Sequence, residues 1–274
     1  MVNRYSGWDM KKIISLLVAL VCFLYSYAQG EHLNNSKGVL VATWNIGHFS
    51  KGQKDHSLIS SSELSQKVDD YRSFIYDSIK ADILCVNEYE RVFCSDSAKS
   101  LYAITEKMLF NNYRSCQIFD KNSFVCNAIF SNKKMKNAAM HPFLYNLFAK
   151  DERSAIEWHY YAVTDITIQG EKVKLICTHL VPLAEKHCQN QIKELLYFAE
   201  KYPKVIICGD MNTWDFSKFR KAGYTLANDG SIVTFPSKSY ALDNIFVKGL
   251  NMSDVKVIKT GLSDHYALLC RISL

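Results

Sequence analysis

The sequence predicts an α/β fold with mixed sheets, on three observations. Strand-like apolar runs alternate with amphipathic helical stretches along the chain. Ser154 to Ile168 and Lys172 to His179 face each other across a turn at Gln169-Gly170 and read as a long hairpin. A helical stretch from Ala184 to Lys201, ended by Pro203, then separates the strand ending at His179 from one starting at Val205, which makes a crossover unit.

The elements follow in order. Val39-L-V-A-T-W-Asn45 is apolar and β-branched, a buried strand. Residues 51–62 are polar and rich in Ser and Lys, hence a loop. Leu64, Val68, Tyr71, Phe74, Ile75 and Ile79 recur at helical spacing, with Ser61 or Ser62 able to cap the start. Asp82-I-L-C-V-N-Glu88 is the next strand, and a helix is expected from about Ser97 to Asn111. Tyr113 to Phe119 and Phe124 to Ser131 read as paired strands around Asp120-Lys-Asn, and residues 132–152 as irregular chain. Leu242 to Val247, Asp254 to Lys259 and Tyr266 to Ser273 are short strands.

The chain has 274 residues, 48% hydrophobic and 22% charged, with few glycines and prolines and no linker-like tract. One domain, large enough to fold on its own core, is therefore expected. The N-terminus differs. Arg4, Lys11 and Lys12 precede an apolar run from Ile13 to Ala28, and Ser26-Tyr27-Ala28 has the small-x-small pattern of a cleavage site. The 16-residue run is short for a membrane span, which needs roughly 20. Residues 1–28 thus read as a secretory signal and 29–274 as the mature domain, secreted or periplasmic. Cleavage removes three basic side chains and one acidic one, taking the net charge from +6 to +4. That balance permits a polyanionic substrate without demanding one. Lys133, Lys134 and Lys136, and Lys218, Arg220 and Lys221, read as solvated surface. Of nine cysteines, Cys85, Cys177, Cys208 and Cys270 fall in apolar strands and read as buried thiols; Cys94, Cys116, Cys126 and Cys188 are the candidates for disulfides.

Polar residues recur where these strands end or begin. They are Trp44-Asn45, Asn87-Glu88, Thr178-His179, Gly209-Asp210-Met211-Asn212, Leu242-Asp243-Asn244 and Ser263-Asp264-His265. If the edges converge, carboxylates, amides and imidazoles share one mouth. Oxygen ligands suit hard cations such as Mg²⁺ or Mn²⁺, and magnesium fills its remaining positions with water and substrate phosphate. An imidazole with a carboxylate partner can serve as a base, and Asn and His can donate to a phosphate gaining charge. Together these are the parts for metal-assisted phosphoester hydrolysis.

In that order, T-W-N-I-G, N-E, T-H-L, G-D-M-N, L-D-N-I-F-V and S-D-H resemble the endonuclease/exonuclease/phosphatase superfamily, the DNase I-like fold, from about Val39 to the C-terminus. Each short motif alone is a common turn; six in order are specific. Asn127-Ala-Ile-Phe-Ser131 and Arg153 in E-R-S resemble further family features. The resemblance implies a four-layer α/β/β/α sandwich with the site where the sheets open. It implies metal binding by Glu88 with Asn45, and a contribution from Asp264. It places the attacking water and phosphate at Asp210 and Asn212, and makes His265, oriented by Asp243, a base or phosphate contact. His179 would contact the phosphate or assist the leaving oxygen, and Asn127 and Arg153 would face the substrate. Two departures stand out: Asn87 replaces the commoner Gln, a change expected to matter little, and Gly47 stands where some nucleases carry a second metal-side acid.

The expected protein is an exported, Mg²⁺- or Mn²⁺-dependent phosphodiesterase, an extracellular nuclease first of all. A phospholipid or sphingomyelin phosphodiesterase, a sugar-phosphate phosphatase, and a catalytically silent binding domain are the alternatives. No protein partner is evident and a monomer is expected. Among the remaining aromatics, Trp44 and Trp214 read as packing residues. His48, His56, His141, His159 and His187 match no motif and read as surface or loop residues. Ser263-Asp264-His265 is no hydrolase triad, because neighbours in extended chain point to opposite faces.

Overall fold

A computed structural model describes residues 38–49, 51, 61–90, 112–119, 125–147, 159–182 and 184–274. The proposed signal segment, the expected helix near 97–111, Cys94, His56 and Arg153 lie outside these residues. Val39–Leu274 forms one compact unit.

Among the described residues, twelve strands build two mixed six-stranded sheets. The first contains β1 (Val39–Asn45), β2 (Ile83–Glu90), β3 (Ser115–Ile118), β4 (Val125–Ser131), β11 (Asn251–Ile258) and β12 (Ala267–Ser273), in the order β11-β12-β1-β2-β4-β3. The second contains β5 (Lys136–Pro142), β6 (Tyr160–Ile168), β7 (Glu171–His179), β8 (Val205–Asp210), β9 (Thr225–Leu226) and β10 (Asp243–Lys248), in the order β5-β6-β7-β8-β10-β9. β1 runs parallel to β2 and β7 parallel to β8, so the C-terminal ends of each pair emerge together. β10 is antiparallel to β8 with Asp243 opposite Asp210, which delivers its first residue to the same edge.

Helices cover the outer faces. Helix α1 (Ser61–Ser73) runs into a wider turn, Phe74–Ile79, and packs Tyr71, Phe74 and Ile75 on Trp44, Tyr89 and Phe130 of the first sheet. Helix α2 (Glu185–Ala199) and the short α3 (Ser217–Lys221) pack Ile192, Leu195, Phe216 and Phe219 on Ile176, Ile207 and Phe246 of the second. Between the sheets lie Val41, Ile83, Ile129, Leu175, Ile206 and Ile245, with Cys85, Cys177, Cys208 and Cys270 among them. The four expected thiols are therefore core residues. This is the four-layer α/β/β/α sandwich.

Locally the structure departs from the sequence reading or adds to it. Residues 136–142 form β5, an edge strand whose Lys-Asn-Ala-Ala-Met-His-Pro sequence lacks apolar alternation because it is mostly exposed and carries a register shift. Five-residue α3 and two-residue β9 are too short to leave a periodic signal. Cys116, Cys126 and Cys188 form no disulfide among the described residues; Cys188 is buried and donates its thiol proton to the Val181 carbonyl at 2.9 Å.

Candidate active site

The strand β8 explains the I206-I-C-G-D-M-N stretch. Gly209 has φ +142°, and a Cβ there would fall 1.8 Å from the Thr178 carbonyl oxygen of β7. Only glycine permits that approach, which brings Asp210 level with His179 in the parallel register. Asn212, at φ +47°, then curls back. Its backbone N–H donates to Asp210 Oδ1 at 2.9 Å and its Nδ2 to the Leu180 carbonyl at 2.8 Å.

Glu88 is positioned by a bulge. The β2–β4 register shifts between Val86 and Tyr89, and Glu88 adopts φ +53°. A bulge re-aims side chains at a sheet's rim. Here it turns Glu88 into the cleft, with its side chain 18% exposed. Asn87, beside it, is fully buried and ties the two sheets. Its Nδ2 donates to Asn127 Oδ1 at 2.8 Å and to the Thr178 carbonyl at 3.0 Å, while its Oδ1 accepts from the Asp210 N–H at 2.9 Å. Asn87 is thus the bracket between β2, β4, β7 and β8, a larger role than its sequence position suggested. Asn127 sits behind that bracket and is buried.

Around this frame the expected residues gather. Asp210 Oδ2 accepts from Asn45 Nδ2 at 3.1 Å and lies 3.6 Å from Nε2 of both His179 and His265. His179 Nε2 is 3.9 Å from Glu88 Oε1, so one imidazole spans the two carboxylates. His265 Nδ1 is 2.7 Å from Asp243 Oδ2, and Asp243 is fully buried. Trp44 supports this pair from below, donating its indole N–H to the His265 carbonyl at 3.2 Å, and is the packing residue expected. Asp264 is half-buried and accepts from Ser263 Oγ at 3.3 Å. Ser263 Oγ also receives the His265 N–H at 3.0 Å.

The electrostatics divide the cluster. Burial opposes charge on His265, but the carboxylates of Asp243 and Asp210 outweigh it and lift the imidazole to about 10. Burial pushes Glu88 upward, yet the His48 hydrogen bond and the His179 charge hold its carboxylate at about 2. At neutral pH the site thus carries an imidazolium and an ionised Glu88.

Two residues were missed. His48 is buried, with Nε2 2.8 Å from Glu88 Oε2, and is no surface residue. His159 has Nδ1 2.8 Å from the His179 carbonyl and packs edge-on against the His179 ring. Burial and the neighbouring His179 push His159 down to about 4, so it stays neutral. A signal existed for each: His48 follows the first strand by three residues, and a hairpin closed at Gln169-Gly170 sets position 159 beside the end of β7. His187 is also buried, bonded to Tyr145, and His141 stacks on Tyr161; both lie on the framework. Trp214 is corrected too, being 61% exposed.

A hard divalent cation fits the Glu88 side. Glu88 is ionised and reachable from solvent, and the Asn45 amide helps hold its carboxylate low. Asp210, Asp243 and His265 also place one ligand atom each within 4.8 Å of one another. Within that trio His265 is hydrogen-bonded to Asp243, and its imidazole is a poorer donor for magnesium, so the trio fits proton handling better.

The model of the Endonuclease/Exonuclease/phosphatase family matches residues 42–265. The chain belongs to that family. Solved structures share the fold: TDP2 of D. rerio complexed with a single strand DNA product is 14% identical, with a TM-score of 0.62 over 86% of this chain and 99% of that one. The endonuclease/exonuclease/phosphatase of Beutenbergia cavernae is 14% identical, with a TM-score of 0.65 over 87% and 72%. The endonuclease/exonuclease/phosphatase of Bacteroides vulgatus is 14% identical, with a TM-score of 0.60 over 86% and 98%. Two UPF0294 proteins of Vibrio vulnificus are 30% identical over 95 residues, 31% of this chain and 34% of each relative. The match spans about a third of those relatives.

Proposed function

We propose that this protein is an exported, Mg²⁺- or Mn²⁺-dependent phosphodiesterase that cleaves nucleic acid. The observation that carries the proposal is Asp210 held between two imidazoles, with Glu88 ionised across the same opening. The TDP2 relative in complex with a single strand DNA product supports the choice of nucleic acid. The apolar segment at residues 13–28 supports export, with the mature chain working outside the cytoplasm.

Glu88 and Asn45 would hold a divalent cation, which when bound would neutralise the phosphate charge. Asp210, anchored by the Asn45 amide, by the Asn212 N–H and by the Asn87 Oδ1 that accepts the Asp210 N–H, orients a water and accepts its proton. The water oxygen bonds to phosphorus as the bond to the leaving oxygen breaks. His265 Nε2–H donates to a phosphate oxygen as charge develops there, and Asp243 keeps the other proton at Nδ1. Of the two roles open to His265, the phosphate contact is the one a protonated ring can perform. His179 donates to the phosphate or the leaving oxygen from the Glu88 side. Asp264, half-buried beside Ser263, supports the cation site through charge alone.

The test is a panel of plasmid DNA, RNA, sphingomyelin and a phosphomonoester, with Mg²⁺ or with EDTA. Cleavage of DNA or RNA that EDTA stops is expected. Cleavage of lipid alone overturns the nuclease reading, and full activity in EDTA overturns the metal dependence.

A further inference from the structure

An aromatic ridge leads away from the catalytic imidazole. The Phe235 ring packs on the His265 ring at 4.8 Å between centroids. Phe235 is paired to Tyr240 by two backbone hydrogen bonds, 2.9 and 3.0 Å. The Tyr240 ring lies 5.4 Å from that of Trp214. Tyr240 is 40% exposed and Trp214 61% exposed. Both stand on the turns next to catalytic strands, Trp214 after β8 and Tyr240 before β10. Trp214 follows Asn212 by two residues, and Tyr240 precedes Asp243 by three.

The backbone beneath the ridge is fixed. Thr213 is fully buried, donates its hydroxyl to Glu185 at 2.6 Å and accepts the Asp215 N–H at 3.0 Å. Phe216 is fully buried in the core beneath α3. The Met211 N–H donates to the Leu242 carbonyl at 2.9 Å, locking the two ridge-bearing turns together. An indole and a phenol held outward on rigid turns lose little conformational freedom when a flat ligand covers them. Among the described residues, neither ring belongs to a core cluster.

We infer that Trp214 and Tyr240 form the stacking subsite for a nucleobase next to the phosphate under attack. The inference rests on the nuclease reading above and adds the part of the substrate that site would grip. Every base presents a π-face, so an aromatic step beside a phosphate site holds single-stranded nucleic acid without reading its sequence. The surroundings favour this over a lipid surface. Beyond the two rings, the large apolar exposure on this lip is Val233, while Ser237, Lys238 and Ser239 beside it are exposed and polar or basic. A membrane-dipping lip needs contiguous apolar area, whereas a polyanion is served by a cation beside two rings.

The test separates binding from turnover. Intrinsic fluorescence of the purified protein is titrated in EDTA with a single-stranded oligonucleotide, the same oligonucleotide with abasic spacers, and phosphatidylcholine–sphingomyelin vesicles. Steady-state cleavage of both oligonucleotides is measured separately with Mg²⁺. Quenching by the base-bearing strand is expected, absent in Trp214→Phe as fluorescence and weakened roughly tenfold or more in affinity by Trp214→Ala or Tyr240→Ala. The same alanine variants should raise KM on the base-bearing strand and leave cleavage of the abasic strand unchanged. Wild-type cleavage of the oligonucleotide with no loss of affinity in the alanine variants overturns the subsite and leaves the nuclease reading standing. Binding to vesicles with a blue shift, in place of the oligonucleotide, overturns it in favour of a lipid. Neither binding nor cleavage of nucleic acid overturns both.

Discussion

Two carboxylate–imidazole pairs face each other across the cleft and differ in one respect. Asp243–His265 is closed off, with the carboxylate side chain at 0% exposure; His48–Glu88 opens outward, with the carboxylate at 18%. Their spacings are nearly the same, 2.7 and 2.8 Å. Burial therefore sets the division of labour. In the closed pair the carboxylate's field has no outlet except the ring, and the ring keeps its proton. In the open pair the carboxylate keeps one side toward solvent, where a cation can take up its remaining lone pairs. The same two residue types thus yield a fixed cation on one wall and a fixed anion on the other.

The comparison can be broken at several points. Gly209→Ala should do most damage, because the added methyl meets the Thr178 backbone and displaces Asp210, which lies beside His265 and His179. A loss of about 4 kcal/mol or more is expected, read as a lowered urea midpoint. His265→Ala should lower kcat roughly 10²–10³-fold by removing the proton donor to the phosphate; turnover near the wild-type value would show that the closed pair is structural. His48→Ala should act on the open pair only. It should weaken Mg²⁺ binding roughly 10–100-fold in calorimetry, as loss of an outer partner of a ligand does, with His265-dependent features intact.

The smallest effect is a pH signature that sharpens the contrast. His265 holds its proton to about 10 in the folded chain against an ordinary 6.5. Its contribution to stability is complete below pH 6.5 and is lost as pH rises toward 10. Glu88, at about 2 against an ordinary 4.5, contributes fully above 4.5 and loses that contribution as pH falls toward 2. Urea midpoints should therefore decline at both ends, and His265→Gln should remove the alkaline decline alone.

The cleft was largely legible because its residues sit where apolar runs stop. Asn45, His179 and Asp210 each end a buried strand, Glu88 lies two residues before the end of β2 and Asn212 two past the end of β8, and a strand end without function favours simple turn residues. What escaped was what the sequence does not encode locally. The His48–Glu88 contact spans forty residues and depends on the bulge at Glu88, and bulges leave no period to count. The exposure of Trp214 was equally hidden, since an aromatic after an apolar strand reads the same whether it faces core or solvent. Edge strand β5 failed for the opposite reason: its partners are on one side only, so its sequence carries no buried face.

Asn87 carries a last consequence. One amide, donating to β4 and β7 and accepting from β8, sets the gap between the layers and the seat of Asp210 together. Heat that parts the layers must also scatter the cleft, so inactivation and global melting should coincide at a single temperature. A warmed sample should show no stage that is folded yet inert, and relatives grown hotter would have to stiffen this one seam before any surface loop.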